Sequence, residues 1–188
     1  MSVFEPLPGS IIAGGKEYAI NTDFRVWIKI ESIIFNSRLT DAEKLSKMFA
    51  LAMPVLPSEN LPEAAEALVG FCFNEKDKTN GAENQSKQPL FDYEADSEYI
   101  YAAFISEFGI DLSTSKLHFH KFKALLKSLG DDCKFTKIIS YRGLNTSKIK
   151  DKEQRRFYES MKRVYALPDR RTEAEKEADF AESLSVLF

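Results

Sequence analysis

The chain has 188 residues, 44% of them hydrophobic, 12% aromatic and 29% charged, with 15 Phe and 7 Tyr. That length excludes a large multidomain enzyme, and so apolar a balance excludes an intrinsically disordered chain. The net charge of -3 hides two opposed regions: residues 116–171 hold 16 Lys/Arg against 6 Asp/Glu, a net +10, and the rest carry 10 against 23, a net -13.

In chain order, Ile11-Ile12-Ala13, Gly14-Gly15 and Lys16-Glu17-Tyr18-Ala19-Ile20 predict a short β-hairpin, because a Gly pair supplies the positive φ of a two-residue turn. Asn21 or Thr22 is placed to cap a helix over 23–36, loaded with Phe24, Trp27, Ile28, Ile30, Ile34 and Phe35. Thr40-Asp41-Ala42-Glu43 is a capping-box pattern opening a helix to about residue 52, where Pro54 and Pro57 follow. Pro62 suits the first turn of a third helix over 62–73.

Residues 74–92 are polar and nearly free of large apolar side chains until Leu90 and Phe91. That composition predicts a flexible linker between two modules. Beyond it, Ile100, Tyr101, Phe104, Ile105 and Phe108 form a one-sided stripe on a helix over 95–108, with Gly109 as left-handed cap. Ser113 or Ser115 is expected to start the next helix, which runs to Leu129 and Gly130. A shorter helix over 135–142 and a last one over 150–167, stopped by Pro168, complete the reading. The organisation is therefore mainly α: a hairpin plus helical module (1–73), a linker (74–92), a second helical module (93–168) and an acidic tail (169–188).

Cys72 and Cys133 have neither metal-ligand nor disulfide-scaffold spacing, which points to a reducing cytosol and ordinary thiols. No basic start precedes an apolar run, and no segment nears the roughly 20 apolar residues of a membrane helix, so neither export nor membrane insertion is expected. His118 and His120 lie two apart, a poor spacing on a helix for sharing one ion. P-loop, dinucleotide, GxSxG and HExxH patterns are absent, so no catalytic residue, metal or cofactor is assigned.

The densest basic element is Lys148, Lys150, Lys152, Arg155 and Arg156, continued past Tyr158 by Lys162 and Arg163. These eight residues are the candidate partner-binding set. Asp151, Glu153 and Glu159 interrupt the charge within salt-bridge reach, which argues against phosphate neutralisation and for a solvated or protein-binding face. The aromatic residues Tyr99, Tyr101, Phe104, Phe119 and Phe122 are expected mostly in the core, with some surplus at an interface.

Several of these segments carry a resemblance. Asp92-Tyr93-Glu94, Asp96, Tyr99-Ile100-Tyr101-Ala102-Ala103-Phe104 and Gly109-Ile110-Asp111-Leu112 are similar to the bacteriophage gene-product-fifteen family. So are His120-Lys121-Phe122-Lys123, Ile139-Ser140-Tyr141-Arg142 and, above all, the run from Lys148 to Arg156. With Ile20-Asn21-Thr22-Asp23-Phe24-Arg25, the resemblance spans about residues 15–168. It implies a non-catalytic protein from the tail gene region of phages and prophages of Gram-positive bacteria. By gene neighbourhood it implies a tail assembly chaperone in the host bacterial cytoplasm. Its partners would be the tape measure protein and tail tube protein, self-association would be allowed, and neither membrane nor nucleic acid is expected. The alternatives are a structural tail or head-tail component of the virion and, behind it, a nucleic-acid-binding protein.

Overall fold

A computed structural model of the chain describes residues 6–73 and 89–168. Most of the expected linker (74–88) and the acidic tail (169–188) therefore lie outside the described residues.

The hairpin forms as its sequence predicts. Strands β1 (Ser10–Ala13) and β2 (Lys16–Ala19) pair antiparallel, with Ile11 opposite Tyr18 and Ala13 opposite Lys16. Gly14 and Gly15 make the turn at φ +55° and +70°. Any Cβ on Gly14 would lie 2.0 Å from the Asn60 side-chain nitrogen, so the turn is glycine for a packing reason as well. Alternation along β1 buries Ile11 and Ala13.

Seven α-helices follow among the described residues: α1 (Phe24–Ile34), α2 (Asp41–Ala52), α3 (Leu61–Cys72), α4 (Ser97–Phe108), α5 (Phe119–Lys127), α6 (Lys134–Gly143) and α7 (Lys152–Val164). The Thr40/Glu43 capping box opens α2, and Gly109, at φ +64°, closes α4. On α1 the cap is Asp23, whose carboxylate accepts the Arg25 amide at 2.9 Å, one or two residues later than expected. The Asn21 side chain instead accepts the Asp23 amide.

One boundary differs more. The helix expected from Ser113 or Ser115 begins only at Phe119, with His118 as its cap. Before it the chain is extended, because residues 117–119 bridge antiparallel to residues 22–24. The Phe24 amide donates to the Leu117 carbonyl at 3.0 Å and the Phe119 amide to the Thr22 carbonyl at 2.8 Å. A non-local pairing thus takes backbone groups that a helical turn would have used.

The two helical modules expected on either side of the linker share one hydrophobic core. An aromatic row crosses it. Trp27 of α1 lies 4.3 Å from Phe71 of α3, Phe24 stacks on Phe122 of α5 at 4.7 Å, and Phe122 stacks on Phe104 of α4 at 5.2 Å. Trp27, Phe104 and Phe119 are fully buried. Each such side chain removes roughly 150–250 Å² from water, and offset stacking adds about 0.5–1.5 kcal/mol per pair.

The buried charge in this interior is also paired. Asp96, 1% exposed, receives both arms of the Arg142 guanidinium at 2.7 and 2.8 Å, plus the Asp92 amide at 3.0 Å. Arg142 also donates to the carbonyls of Leu90 at 3.1 Å and Tyr165 at 2.5 Å. Removing one partner of such a pair leaves the other charge buried and costs about 3–5 kcal/mol. Arg142→Ala is therefore expected to lower the urea-unfolding free energy by about that amount. Arg142→Lys should recover only part of it, because an ammonium cannot supply the two-armed fork. A loss below about 1 kcal/mol in the Ala variant would mean that the pair does not hold the fold.

Candidate partner-binding surface

Two surfaces stand out: the basic element at the C-terminal end of the described chain, and an apolar cleft on the opposite side of α4's first turns.

The eight basic-element residues do not form one uniform patch. Lys148 closes a 3-10 turn (Thr146–Lys148), Lys150 follows it, and both are exposed, as are Lys152, Arg156 and Arg163 on α7. The other three turn toward the protein body. Arg155 donates to the Ile149 carbonyl through Nε at 3.0 Å, and Lys162 donates to the Leu144 carbonyl at 2.8 Å. Tyr158 sits half-buried with its ring 6.1 Å from Tyr141. Two cations thus satisfy carbonyls of the 144–149 connection, leaving five for solvent or a partner. Tyr165, just past α7, stacks on Tyr141 at 6.1 Å and meets Tyr99 of α4 edge-on at 6.4 Å.

The cleft encloses about 500 Å³ and opens to solvent. Phe24 and Ile28 of α1, Ile100 and Tyr101 of α4, Leu112 of the loop after α4 and Phe122 of α5 give it apolar walls, with Tyr93, Ser97, Glu98 and Ser113 around the rim. Arg25 builds one wall rather than offering free charge. Its guanidinium pairs with Asp23 at 3.0 Å, donates to the Leu112 and Ser115 carbonyls, and lies 4.7 Å over the Phe24 ring. Asp111 fixes the rim by accepting from the Ser113 hydroxyl at 2.6 Å and the Tyr101 hydroxyl at 3.2 Å. The Ser113 hydrogen bonds hold its carboxyl below the ordinary aspartate value.

Of the aromatics expected in the core, Phe104, Phe119 and Phe122 are buried, Tyr99 is half-buried, and Tyr101 is 38% exposed at the cleft. Sequence reasoning missed the cleft because its walls come from three distant segments. The only signal was the surplus of aromatic side chains.

The two histidines have structural partners. His118 accepts the His120 amide at Nδ1, which leaves Nε2 as the donor to the Pro8 carbonyl at 2.9 Å. His120 Nε2 reaches the Phe71 carbonyl at 2.8 Å and Lys123 the Cys72 carbonyl at 3.0 Å, so α5 covers the C-terminal carbonyls of α3. Burial and the nearby Glu31 charge push the Cys72 thiol up to about 12. Cys133 caps α6, its sulfur accepting the Thr136 amide at 3.4 Å.

Among protein families, the one described as Bacteriophage Gp15 protein matches residues 3–167. No curated protein and no solved structure matches the chain.

Burial holds the His120 imidazole below its ordinary value of 6.5. The unfolded chain therefore takes up this proton first as pH falls. Stability from His120 is fully present above about 6.5 and is lost progressively between there and its lower folded-state value. The urea midpoint should drop on acidification from about pH 7.5 to 5, and drop less in His120→Gln. Equal drops in the two proteins would remove His120 from the acid response.

Proposed function

Because the chain belongs to the Bacteriophage Gp15 family, whose members are phage structural or assembly-related proteins, we propose that it is a non-catalytic tail assembly chaperone acting in the host bacterial cytoplasm. In this reading it binds the tape measure protein, tail tube subunits or both while the tail is built.

The observation that supports this most is the open apolar cleft between α1 and α4. A cleft of about 500 Å³ with apolar walls and a polar rim suits an amphipathic helix inserting one or two large side chains. A tape measure protein, long and helical, offers such side chains repeatedly. The exposed cations Lys148, Lys150, Lys152, Arg156 and Arg163 add a charged surface that steers an acidic partner.

Co-expression with a tape measure protein encoded by the same phage tests the proposal. The chain is expected to co-purify with it and to raise its soluble yield. Tyr101→Glu, at the exposed cleft wall, should weaken the complex about tenfold or more, since a charge would replace an interfacial aromatic. Absence of both co-purification and improved yield would overturn the chaperone reading. Recovery of the chain at stoichiometric level in purified virions by mass spectrometry would favour a retained structural component instead.

A further inference from the structure

Two apolar surfaces of the fold have no cover among the described residues, and they carry opposite charge. The first is the outer face of α7, the one α-helix among the described residues that has no buried side chain. Its Arg155, Tyr158 and Lys162 turn inward to α6 and the 144–149 connection. On the outer face, seven residues apart, Phe157 is 51% and Val164 66% exposed. Arg156 and Arg163 lie beside them at the same spacing, and with Lys152 they outnumber Glu153 and Glu159.

The second is the cleft between α1 and α4. Of the two charged side chains that line it, Arg25 is engaged by Asp23 and by two carbonyls, so the exposed Glu98 sets the sign of the rim. Asp111, bonded to the Ser113 and Tyr101 hydroxyls, adds a second carboxylate at that edge. α4 itself carries Glu98 and Glu107 and no lysine or arginine. The two surfaces cannot meet within one molecule. Tyr99 of α4 meets Tyr165 past the end of α7, whereas Tyr101, two positions further on, lines the cleft, and side chains two apart on a helix point to opposite sides.

We propose that they meet between molecules: the Phe157/Val164 face of α7 of one copy seats in the α1/α4 cleft of the next, with Arg156 and Arg163 over the acidic rim. Charge selects a second copy as the occupant, because a basic apolar helix and an acidic apolar cleft on the same chain complement each other. The cleft, at about 500 Å³, has room for the Phe157 ring. The bonds of Arg155 and Lys162 to carbonyls already hold α7 with this face outward, so docking needs no rearrangement of the helix. A contact between two different surfaces of identical chains is heterologous and adds copies head to tail, into a closed ring or an open filament. It uses the cleft that the assembly reading gives to a client helix, so under that reading copies and client compete for one seat. The contact itself does not depend on that reading, and the purified chain alone tests it.

Sedimentation velocity of the full-length protein over a concentration series is that test. The wild type is expected to grow past the dimer as concentration rises. Tyr101→Glu in the cleft and Phe157→Glu on α7 should each weaken association about tenfold or more. Mixed in equal amounts, these two variants keep one intact cleft and one intact α7 face between them, so they should form a heterodimer and stop there. That recovery also shows that both variants fold. Arg156→Glu with Arg163→Glu leaves the apolar pair in place and should weaken association as well, and adding Glu98→Lys should restore part of it. A monomer at every concentration leaves the cleft to a different protein and overturns the proposal. Association indifferent to these substitutions places the interface elsewhere and also overturns it. So does loss of association in both single variants with no heterodimer on mixing, when their circular dichroism matches the wild type.

Discussion

The ion pair between Arg142 and Asp96 is the constraint on which the C-terminal half depends. One guanidinium reaches four places: the carboxylate at the start of α4, the Leu90 carbonyl where the described chain resumes, the Tyr165 carbonyl past α7 and, through Asp96, the Asp92 amide. Burying two charges costs several kcal/mol per ion, and only a complete set of hydrogen bonds offsets it. Here both carboxylate oxygens are used, and two further donors of the arginine, on Nε and Nη1, find carbonyls. A hydrophobic pair of the same volume would give similar stability but no orientation. The fork instead fixes where α4 begins and where α7 ends, so it decides which faces of both helices remain available.

The N-terminal half is tied to this frame by backbone rather than by charge. The short bridge between residues 22–24 and 117–119 sets α1 beside α5 and brings Phe24 and Phe122 into stacking distance. Arg25 then reaches across to the Leu112 and Ser115 carbonyls, which ties the 112–115 loop to the start of α1. The cleft follows from those two constraints. Its floor consists of core residues, Phe24, Ile100, Leu112 and Phe122, seen from a side that no element covers. A surface made this way is rigid, because the side chains that line it are locked by packing on their other faces.

What was legible in the sequence is what local chemistry determines. The Gly14-Gly15 turn, the Thr40/Glu43 box, the Gly109 cap and the helical stripes each need only neighbours a few residues away. What was not legible depends on distant partners. Nothing local marks Asp96 as the buried acceptor for an arginine 46 positions on. Arg155 and Lys162 read as part of a charged face, yet they satisfy carbonyls of the preceding connection. The helix expected from Ser113 loses its first turns to a pairing with residues 22–24. Apart from Arg155, whose acceptor is six residues back, a backbone or carboxylate group far along the chain outcompetes the local preference, and no periodicity records that.

The charge asymmetry of the sequence takes a different meaning in three dimensions. The +10 region is not a single basic face. Within it Arg142 is internal, Arg155 and Lys162 bind carbonyls, and Lys123 reaches the carbonyl end of α3. Four of the basic residues therefore act inside the fold, on helix ends, connections and the buried carboxylate. Five exposed cations lie on or just before α7, which is held by Tyr141, Tyr158 and Tyr165 rings and by carbonyl bonds instead of by buried apolar side chains. An element retained that way has little apolar burial to lose when it opens, which places it toward the less stable end of the fold. Yet its far end is pinned, through the Tyr165 carbonyl, to the same arginine that anchors α4, and Tyr99 of α4 packs on the Tyr165 ring. Two positions further along α4, Tyr101 lines the cleft. Cleft and basic helix are therefore opposite sides of one anchored helix, so a partner engaging either surface bears on an element whose start is fixed by the buried ion pair.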